Sequence, residues 1–199
     1  MKGTKKSYGA KHLLLSAAEA VAVKTELMEN CLDQIVAMAS GMARLLKRGG
    51  TIFLAGNGGS AADCQHFATE LVVRLTGKFE RPSLPAIALT SDSALLTAAG
   101  NDYGFDLIFA RQVESLVRPK DLLVLLSTSG NSANLVRAAQ AARKKKVAVY
   151  ALLGCGGGKL KRYASQAIIV PADSVQRIQE EHTFLIHSLV ELIERDLFG

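Results

Sequence analysis

A short apolar run, a polar turn and a helical pattern follow one another in the middle of the chain. Residues 122–126 read LLVLL, which is short enough for a buried parallel strand. Residues 133–143 carry a helical pattern. Between them lie four hydroxyl side chains: Ser127, Thr128, Ser129 and Ser132. A helix N-terminus offers unpaired N–H groups and a positive dipole end, so we interpret this turn as a phosphate site. The alternative is that Asn131 or Ser132 only caps the helix.

Strand-like and helix-like segments alternate along the rest of the chain. The predicted strands are 51–55, 84–89, 122–126, 147–152 and 167–170. The predicted helices are 11–47 (one helix or two), 60–75, 93–99, 105–117, 133–143 and 173–197. Such alternation predicts an α/β fold in which a five-stranded parallel sheet lies between helical layers. We expect one domain of residues 1–199, with a helical arm at 11–48 and an α/β core at 51–199.

Composition excludes several classes of protein. The chain is 49% hydrophobic and 21% charged, as is usual for a globular protein, and no apolar run approaches membrane-spanning length. The net charge is +6, but aromatic residues are few and do not interleave with basic ones, so we expect no nucleic-acid partner and no membrane partner. Cys31, Cys64 and Cys155 are widely spaced and predict free buried thiols in a reducing cytoplasm.

A second polar turn follows the first predicted strand. It reads Gly56-Asn57-Gly58-Gly59-Ser60 and lacks both the full dinucleotide fingerprint and the lysine of a P-loop. Its glycines would let a ligand approach the backbone closely, and Asn57 could contact sugar hydroxyls. A tight strand-to-helix turn is the alternative. Because parallel strands end at one edge of a sheet, we expect this turn and residues 127–132 to form a single site.

Two predicted helices carry side chains that suit a metal or acid–base chemistry. His66 and Glu70 are four residues apart and share a helix face. Gln179 and His187 lie two turns apart on the last helix. Such a set can bind a metal or divide the roles of acid and base. Apolar residues flank His187 on both sides, so we expect its side chain to be buried. The alternatives are a solvated ion pair for His66 and Glu70, and a purely structural role for His187.

Several motifs occur together and in order over residues 56–195: GNGGSAADCQHFATEL, RPSLPAIALTSD, TAAGNDY, LLSTSGNS and RIQEEHTFLIHSLVELIE. In combination they resemble the phosphoheptose isomerases of the sugar isomerase (SIS) domain superfamily. The resemblance implies a three-layer α/β/α, flavodoxin-like fold and a homotetramer with active sites between subunits. It also implies isomerisation of sedoheptulose 7-phosphate to D-glycero-D-manno-heptose 7-phosphate, the first step toward nucleotide-activated heptose.

The resemblance also implies roles for individual residues. Glu70 and His187 match the proposed catalytic pair. Substrate contacts match Asn57, Gly58, Gly59, Ser60, Glu70, Asn101, Asp102, Ser127, Thr128, Ser129, Ser132 and Gln179. The zinc ligands of family members match His66, Glu70, Gln179 and His187, which implies one Zn²⁺ per subunit and no nucleotide cofactor. The roles overlap at Glu70, since a carboxylate that binds a metal tightly cannot freely act as a base.

Two rival functions remain at this stage. The DnaA initiator-associating proteins are similar in fold and motifs but replace the catalytic Glu and the last His, both of which this chain keeps as Glu70 and His187. The second rival is an isomerase or sensor of another sugar phosphate, which the helix containing Gln179 and His187 disfavours. We therefore expect an enzyme, an aldose–ketose isomerase, whose acidic and basic groups lie on one subunit or on two.

Overall fold

The computed structural model describes residues 7–199; residues 1–6 of the expected domain lie outside the described part. The helices are α1 Tyr8–Lys47, α2 Gly59–Val72, α3 Ser93–Tyr103, α4 Ile108–Leu116, α5 Ala133–Lys144 and α6 Val175–Phe198. The strands are β1 Ile52–Gly56, β2 Ala86–Ala88, β3 Leu122–Ser127, β4 Ala148–Leu153 and β5 Gln166–Ile169. Short 3₁₀ turns lie at Phe105–Leu107, Cys155–Gly157 and Leu160–Arg162.

The five strands form one all-parallel sheet in the order β2-β1-β3-β4-β5, as the α/β prediction requires. The strand order reverses between β1 and β3, which are neighbours with Gly56 paired to Leu126. In sheets of this kind, ligands bind outside the carboxyl ends of the strands at such a reversal. The turns that follow β1 and β3 therefore meet at this edge.

Alternate residues of each strand pack against opposite helical layers. Leu54 of β1 and Val124 of β3 belong to the core shared with α1, α2 and α6. Phe53 and Leu123, one residue earlier on each strand, belong to the core shared with α3, α4 and α5. The central strands β1 and β3 are buried along their whole length, which explains their continuous apolar sequences. The predicted three-layer sandwich is confirmed.

The N-terminal segment is one helix of 40 residues rather than two. Its buried side chains begin at Leu27 and recur through Leu46, where α1 packs on the core. Before Leu27, large apolar side chains point to solvent: Leu13, Leu14, Leu15 and Val21. The second half of α1 thus belongs to the core, and its first half presents apolar surface.

Several predicted boundaries were wrong; for example, the helix predicted at 60–75 ends at Val72. Helix α3 continues to Tyr103, because the chain leaves the helix only at Gly104, whose φ is +82°. The predicted helix 105–117 begins with a 3₁₀ turn and becomes α-helical at Ile108. Strand β2 covers only three residues, because the Leu84 N–H donates to the Leu71 carbonyl of α2 instead of a strand.

All three cysteines are free, and Cys31 and Cys64 are buried as predicted. Cys155 is exposed, so the prediction of a buried thiol was wrong there. It lies in a glycine-rich turn after β4 and has a φ of +46°. Among residues 7–199, no helix is both long and apolar enough to span a bilayer.

Candidate active site

Helices α2 and α6 pack side by side and bring three candidate ligands together within one chain. The Nε2 atom of His66 lies 3.0 Å from Oε1 of Glu70, its neighbour one turn later on α2. The Nε2 atom of His187 on α6 lies 3.3 Å from Nε2 of His66. The three ligand atoms lie within 4.8 Å of one another. The predicted meeting of the two helices is therefore present in a single subunit.

This cluster has an electrostatic imbalance. Two imidazole nitrogens and a carboxylate oxygen converge, and one proton on the shared Nε2 of His66 cannot satisfy both neighbours fully. The second carboxylate oxygen of Glu70, Oε2, is buried and has no hydrogen-bond partner. Buried polar atoms are normally satisfied, so this arrangement is better suited to a cation at its centre than to hydrogen bonds alone.

The spacing of the cluster fits a zinc site. With Zn–N bonds of about 2.0–2.1 Å, two nitrogens on a tetrahedral ion lie roughly 3.3–3.4 Å apart. The two Nε2 atoms of His66 and His187 are separated by 3.3 Å. Imidazole nitrogen and carboxylate oxygen are also the ligands that catalytic zinc sites use most often besides thiolate. The residues present therefore fit the metal that the sequence resemblance implies.

His187 is exposed, so the expectation that it is buried was wrong. The buried stripe of α6 runs through Ile178, Leu185, Ile186 and Leu189, and His187 lies at its flank. The apolar residues beside His187 in the sequence therefore did not predict that its side chain points to solvent. Exposure leaves the ring accessible to a ligand that enters beside α2.

Gln179 lies two turns before His187 and contacts the start of α2. A Cβ atom added at Gly59 would lie 2.4 Å from Nε2 of Gln179, so only glycine allows this approach without displacing the amide. Gly58, which precedes it, has a φ of +56°. Glycine is therefore required at position 58 by its backbone conformation, whereas a side chain at position 59 would displace the Gln179 amide that packs over the turn.

The hydroxyl turn after β3 is held in shape by its own side chains. Oγ of Ser127 accepts the N–H of Gly130 at 3.0 Å, and Oγ of Ser129 accepts the N–H of Asn131 at 3.2 Å. Thr128 and Ser132 are half-buried, and Ser132 precedes α5 without forming a side-chain cap. The hydroxyl protons of Ser127 and Ser129 are not used in these bonds and remain available to an anion.

Comparisons with known proteins decide the family. A family model described as the SIS domain matches residues 17–154. A phosphoheptose isomerase from Leptospira biflexa is 44% identical over 181 residues, which is 91% of this chain and 93% of that protein. The structure of a phosphoheptose isomerase from Neisseria gonorrhoeae is 41% identical, has a TM-score of 0.87 and aligns over 94% of this chain and 98% of that chain. One from Francisella tularensis is 34% identical with a TM-score of 0.90, over 95% and 100% of the two chains.

The chain belongs to the phosphoheptose isomerase family. Its membership in the wider SIS domain family follows from the same comparisons, because the matched residues cover most of the sheet and the helices around it. The recognition made from the sequence motifs is confirmed.

The structure does not join every candidate residue of this phosphoheptose isomerase family member into one site. Asn101 and Asp102 are exposed on α3, and the Asn101 amide donates to the Asp102 carboxylate at 2.8 Å. Within residues 7–199, no hydrogen bond connects this pair to the other candidate residues. Helix α3 packs on the opposite sheet face from α2 and α6, which separates the pair from the histidines of the same chain.

Sequence reasoning missed two residues of this site. Asp63 lies one turn before His66 and is half-buried; burial raises its pKa, while the nearby His66 ring and the Thr183 hydroxyl of α6 oppose that shift. The spacing of Gly59, Asp63, His66 and Glu70 along one helix face could have revealed it. The second is Asn134 in the first turn of α5, whose amide pairs with Asn57. No sequence pattern distinguishes Asn134 from a solvated helix residue.

Proposed function

We propose that the protein is a phosphoheptose isomerase that converts sedoheptulose 7-phosphate into D-glycero-D-manno-heptose 7-phosphate. The observation that carries the proposal is the convergence of Glu70, His66 and His187 in a chain of this family. The hydroxyl turn at 127–132 follows the neighbouring strand and supplies neutral donors for a phosphate. The product feeds nucleotide-activated heptose synthesis for surface carbohydrate such as lipopolysaccharide.

The proposed chemistry needs one base and one group that moves protons on oxygen. The Glu70 carboxylate removes the proton from C1 of the ketose, and the electron pair moves toward the C2 carbonyl to give an enediol. His187 transfers a proton between the O1 and O2 atoms, and Glu70 returns its proton to C2. Atoms and electrons balance within the substrate, so the reaction requires no nicotinamide, flavin or other nucleotide cofactor.

We propose that one Zn²⁺ per subunit is held by His66, Glu70, Gln179 and His187. When bound, zinc would supply Lewis-acid polarisation of the substrate's oxygen atoms. The orphaned Oε2 of Glu70 is relevant here, because Oε1 already points to His66. If one carboxylate oxygen of Glu70 bound the zinc and the other acted as the base, this residue could serve as both metal ligand and general base.

The remaining candidates would bind substrate. Phosphate contacts are proposed for Ser60, Ser127, Thr128, Ser129 and Ser132. Sugar contacts are proposed for Asn57, Gly58, Gly59, Gln179, Asn101 and Asp102. Because the phosphate lies far from the reacting carbons, its binding energy would orient C1 and C2 toward Glu70 without taking part in the chemistry. Asn101 and Asp102 would act from a second subunit, since α3 lies on the opposite face of the sheet.

We propose that the chain is a single SIS domain that assembles as a cytoplasmic homotetramer. The support is the apolar surface of the first half of α1, where Leu13 and Leu15 are 69% and 65% exposed. Association of identical subunits with closed symmetry is the usual way to cover such a surface. We expect no nucleic-acid or membrane partner.

The DnaA initiator-associating proteins remain the rival from a different class. The retained cluster of Glu70 and His187 supports the enzyme, because a binding protein needs neither a base nor an imidazole at this position. Purified protein should convert sedoheptulose 7-phosphate and should act poorly on fructose 6-phosphate and on unphosphorylated sedoheptulose. If fructose 6-phosphate turned over as fast as sedoheptulose 7-phosphate, the protein would be an isomerase of another sugar phosphate. If neither sugar phosphate turned over, the binding-protein function would be favoured.

A further inference from the structure

Asn134 and Asn57 form a reciprocal amide pair at the carboxyl edge of the sheet. The Nδ2 group of Asn134 donates to Oδ1 of Asn57 at 2.8 Å, and Nδ2 of Asn57 donates to Oδ1 of Asn134 at 3.0 Å. The two residues are 77 positions apart in sequence. Asn134 is 2% exposed, whereas Asn57 is half-buried. One member of the pair is thus fixed in the interior and the other faces the site.

The pair connects the two turns that would hold the two ends of a sugar phosphate. Asn57 belongs to the glycine turn between β1 and α2, and Asn134 is the second residue of α5, directly after the hydroxyl turn. Strands β1 and β3 are neighbours at the point where the strand order reverses. A side-chain bridge between these turns fixes the distance from the phosphate contacts to the sugar contacts.

The bonds of Asn134 also decide which way the Asn57 amide faces. Oδ1 of Asn134 accepts the N–H of Leu135 at 2.9 Å, so the oxygen and nitrogen of Asn134 cannot exchange places. The Nδ2 group of Asn57 must therefore point to that oxygen. One N–H and one lone pair of Asn57 remain for a ligand, in a fixed orientation.

We propose that Asn134 is a positioning residue for substrate binding, which acts by orienting the Asn57 amide and by coupling the phosphate turn to the sugar turn. This inference rests on the proposed function for the identity of the ligand. Without Asn134, Asn57 can rotate or flip, and its one remaining donor and acceptor no longer meet the sugar. The phosphate contacts themselves remain intact, because Ser127 and Ser129 are held by local backbone bonds.

The experiment compares binding of a whole sugar phosphate with binding of its phosphate alone. Calorimetry gives the Kd of sedoheptulose 7-phosphate and of inorganic phosphate for the full-length native protein, Asn134→Ala and Asn134→Asp. Asn134→Ala should weaken the sugar phosphate about tenfold, the size of one or two lost hydrogen bonds, with less than a twofold change for inorganic phosphate. Asn134→Asp keeps the shape but replaces the donor with an acceptor, so it should be no better than Asn134→Ala.

A double-mutant cycle separates positioning from general stability. Asn57→Ala should weaken the sugar phosphate to a similar degree, and the double variant should be no weaker than either single one, because both changes remove one coupled interaction. Gln112→Ala is the matched control. Gln112 is a 4% exposed amide that bonds the Leu89 and Ile108 carbonyls on the other sheet face. The Gln112→Ala substitution should lower the free energy of unfolding while leaving the Kd values of sedoheptulose 7-phosphate and inorganic phosphate unchanged.

The outcomes distinguish this inference from the proposed function. The positioning role would be overturned if Asn134→Ala weakened sedoheptulose 7-phosphate and inorganic phosphate by the same factor. It would also be overturned if Asn134→Ala and Gln112→Ala had the same Kd for the sugar phosphate. Additive losses in the double variant would overturn it as well. If native protein binds sedoheptulose 7-phosphate without turning it over, the proposed reaction fails while the tenfold effect of Asn134→Ala still supports the positioning role. If native protein binds no sugar phosphate, both are wrong.

Discussion

The Nε2 atoms of His66 and His187 lie 3.3 Å apart, although 121 positions separate the two residues in sequence. Two neutral imidazoles can meet through Nε2 only if one ring donates an Nε2 proton to the other or a cation lies between them. Glu70 adds a carboxylate oxygen 3.0 Å from His66. The cluster depends on the fold, because His66 and Glu70 lie on α2 and His187 lies on α6, and the three side chains meet only where these helices pack together.

Zinc binding should depend on this cluster. After dialysis against zinc, native protein should retain about one ion per subunit by elemental analysis, and His66→Ala and His187→Ala should each retain little. His12→Ala is the control, because His12 belongs to α1 and is not one of the three residues of the cluster. Equal zinc content in all three variants would contradict the assignment.

Removal of the metal should show what it does. If zinc is central to catalysis, chelation should abolish turnover, and His66→Ala should be as damaging as a change at Glu70. If zinc only stabilises the site, chelation should lower the melting temperature more than the rate. An unchanged melting temperature together with an unchanged rate would mean that the cluster holds no functional metal.

The hydroxyl turn should affect binding more than chemistry. Ser132→Ala should raise KM about fivefold with little change in kcat, because a neutral hydrogen bond contributes on the order of 1 kcal/mol. The Ser132 hydroxyl makes no cap bond to α5, so its loss should leave stability nearly unchanged. Ser165→Ala, whose hydroxyl donates to Val149 outside this turn, is the control and should keep the native KM. A drop in kcat at constant KM in Ser132→Ala would place the phosphate elsewhere.

A buried ion pair should stabilise the end of α2 that carries Glu70. The Arg81 guanidinium donates to Glu194 at 2.9 Å and to the Glu70 and Leu71 carbonyls at 2.7 Å each. Glu194→Gln leaves a buried guanidinium without its counter-charge, so the free energy of unfolding should fall by about 3–5 kcal/mol in urea titrations.

The control for Glu194→Gln is an exposed pair on the same loop. Arg74 and Glu80 are 2.6 Å apart, with side chains 44% and 79% exposed, so Glu80→Gln should cost less than about 1 kcal/mol. Equal losses in the two variants would show that burial does not set the strength of the Arg81 pair.

His182 should make stability depend on pH. Burial lowers the pKa of His182 to about 4. The nearby backbone of Leu153 favours the charged ring and raises this pKa, but by less than burial lowers it. Between pH 4 and its unfolded value of 6.5, the unfolded chain binds more protons than the folded one, so stability is complete above pH 6.5 and is lost as pH falls.

This loss can be measured directly. Between pH 7.5 and pH 5, His182 should lower the free energy of unfolding by about 2 kcal/mol, and His182→Leu should lose correspondingly less over the same interval. His12→Ala, which changes an exposed histidine, should behave as native protein does. A decline in His182→Leu as steep as the native one would assign the pH dependence to other groups.

Parts of the structure were predictable because they depend on local sequence. Strands β1 and β3 are short apolar runs that a parallel sheet buries on both faces, and the glycines and hydroxyl residues at and beyond their ends are typical of turns. The contact between His66 and His187 depends on how two helices pack. Sequence spacing supplied the residues of each helix, and only the resemblance to a family suggested that they meet.

Other features could not be predicted because they depend on side-chain direction and on distant partners. His187 was expected to be buried on account of its apolar neighbours, yet it lies at the flank of the buried stripe of α6. The Asn57–Asn134 pair joins the turn after β1 to the start of α5, and no sequence pattern around either residue predicts this contact. The predicted end of α3 at residue 99 was wrong, because the helix continues to Tyr103 and the chain leaves it at Gly104.

The most direct test of this account is the turnover of sedoheptulose 7-phosphate by native protein, Glu70→Gln and His187→Gln. Each substitution keeps the approximate size of the side chain and removes the group proposed to move protons. Acid–base roles contribute about 10²–10⁴-fold, so kcat should fall by that factor in each variant while circular dichroism and the melting temperature show a folded protein. Near-native turnover in both variants would contradict the catalytic assignment and would restore the binding-protein interpretation.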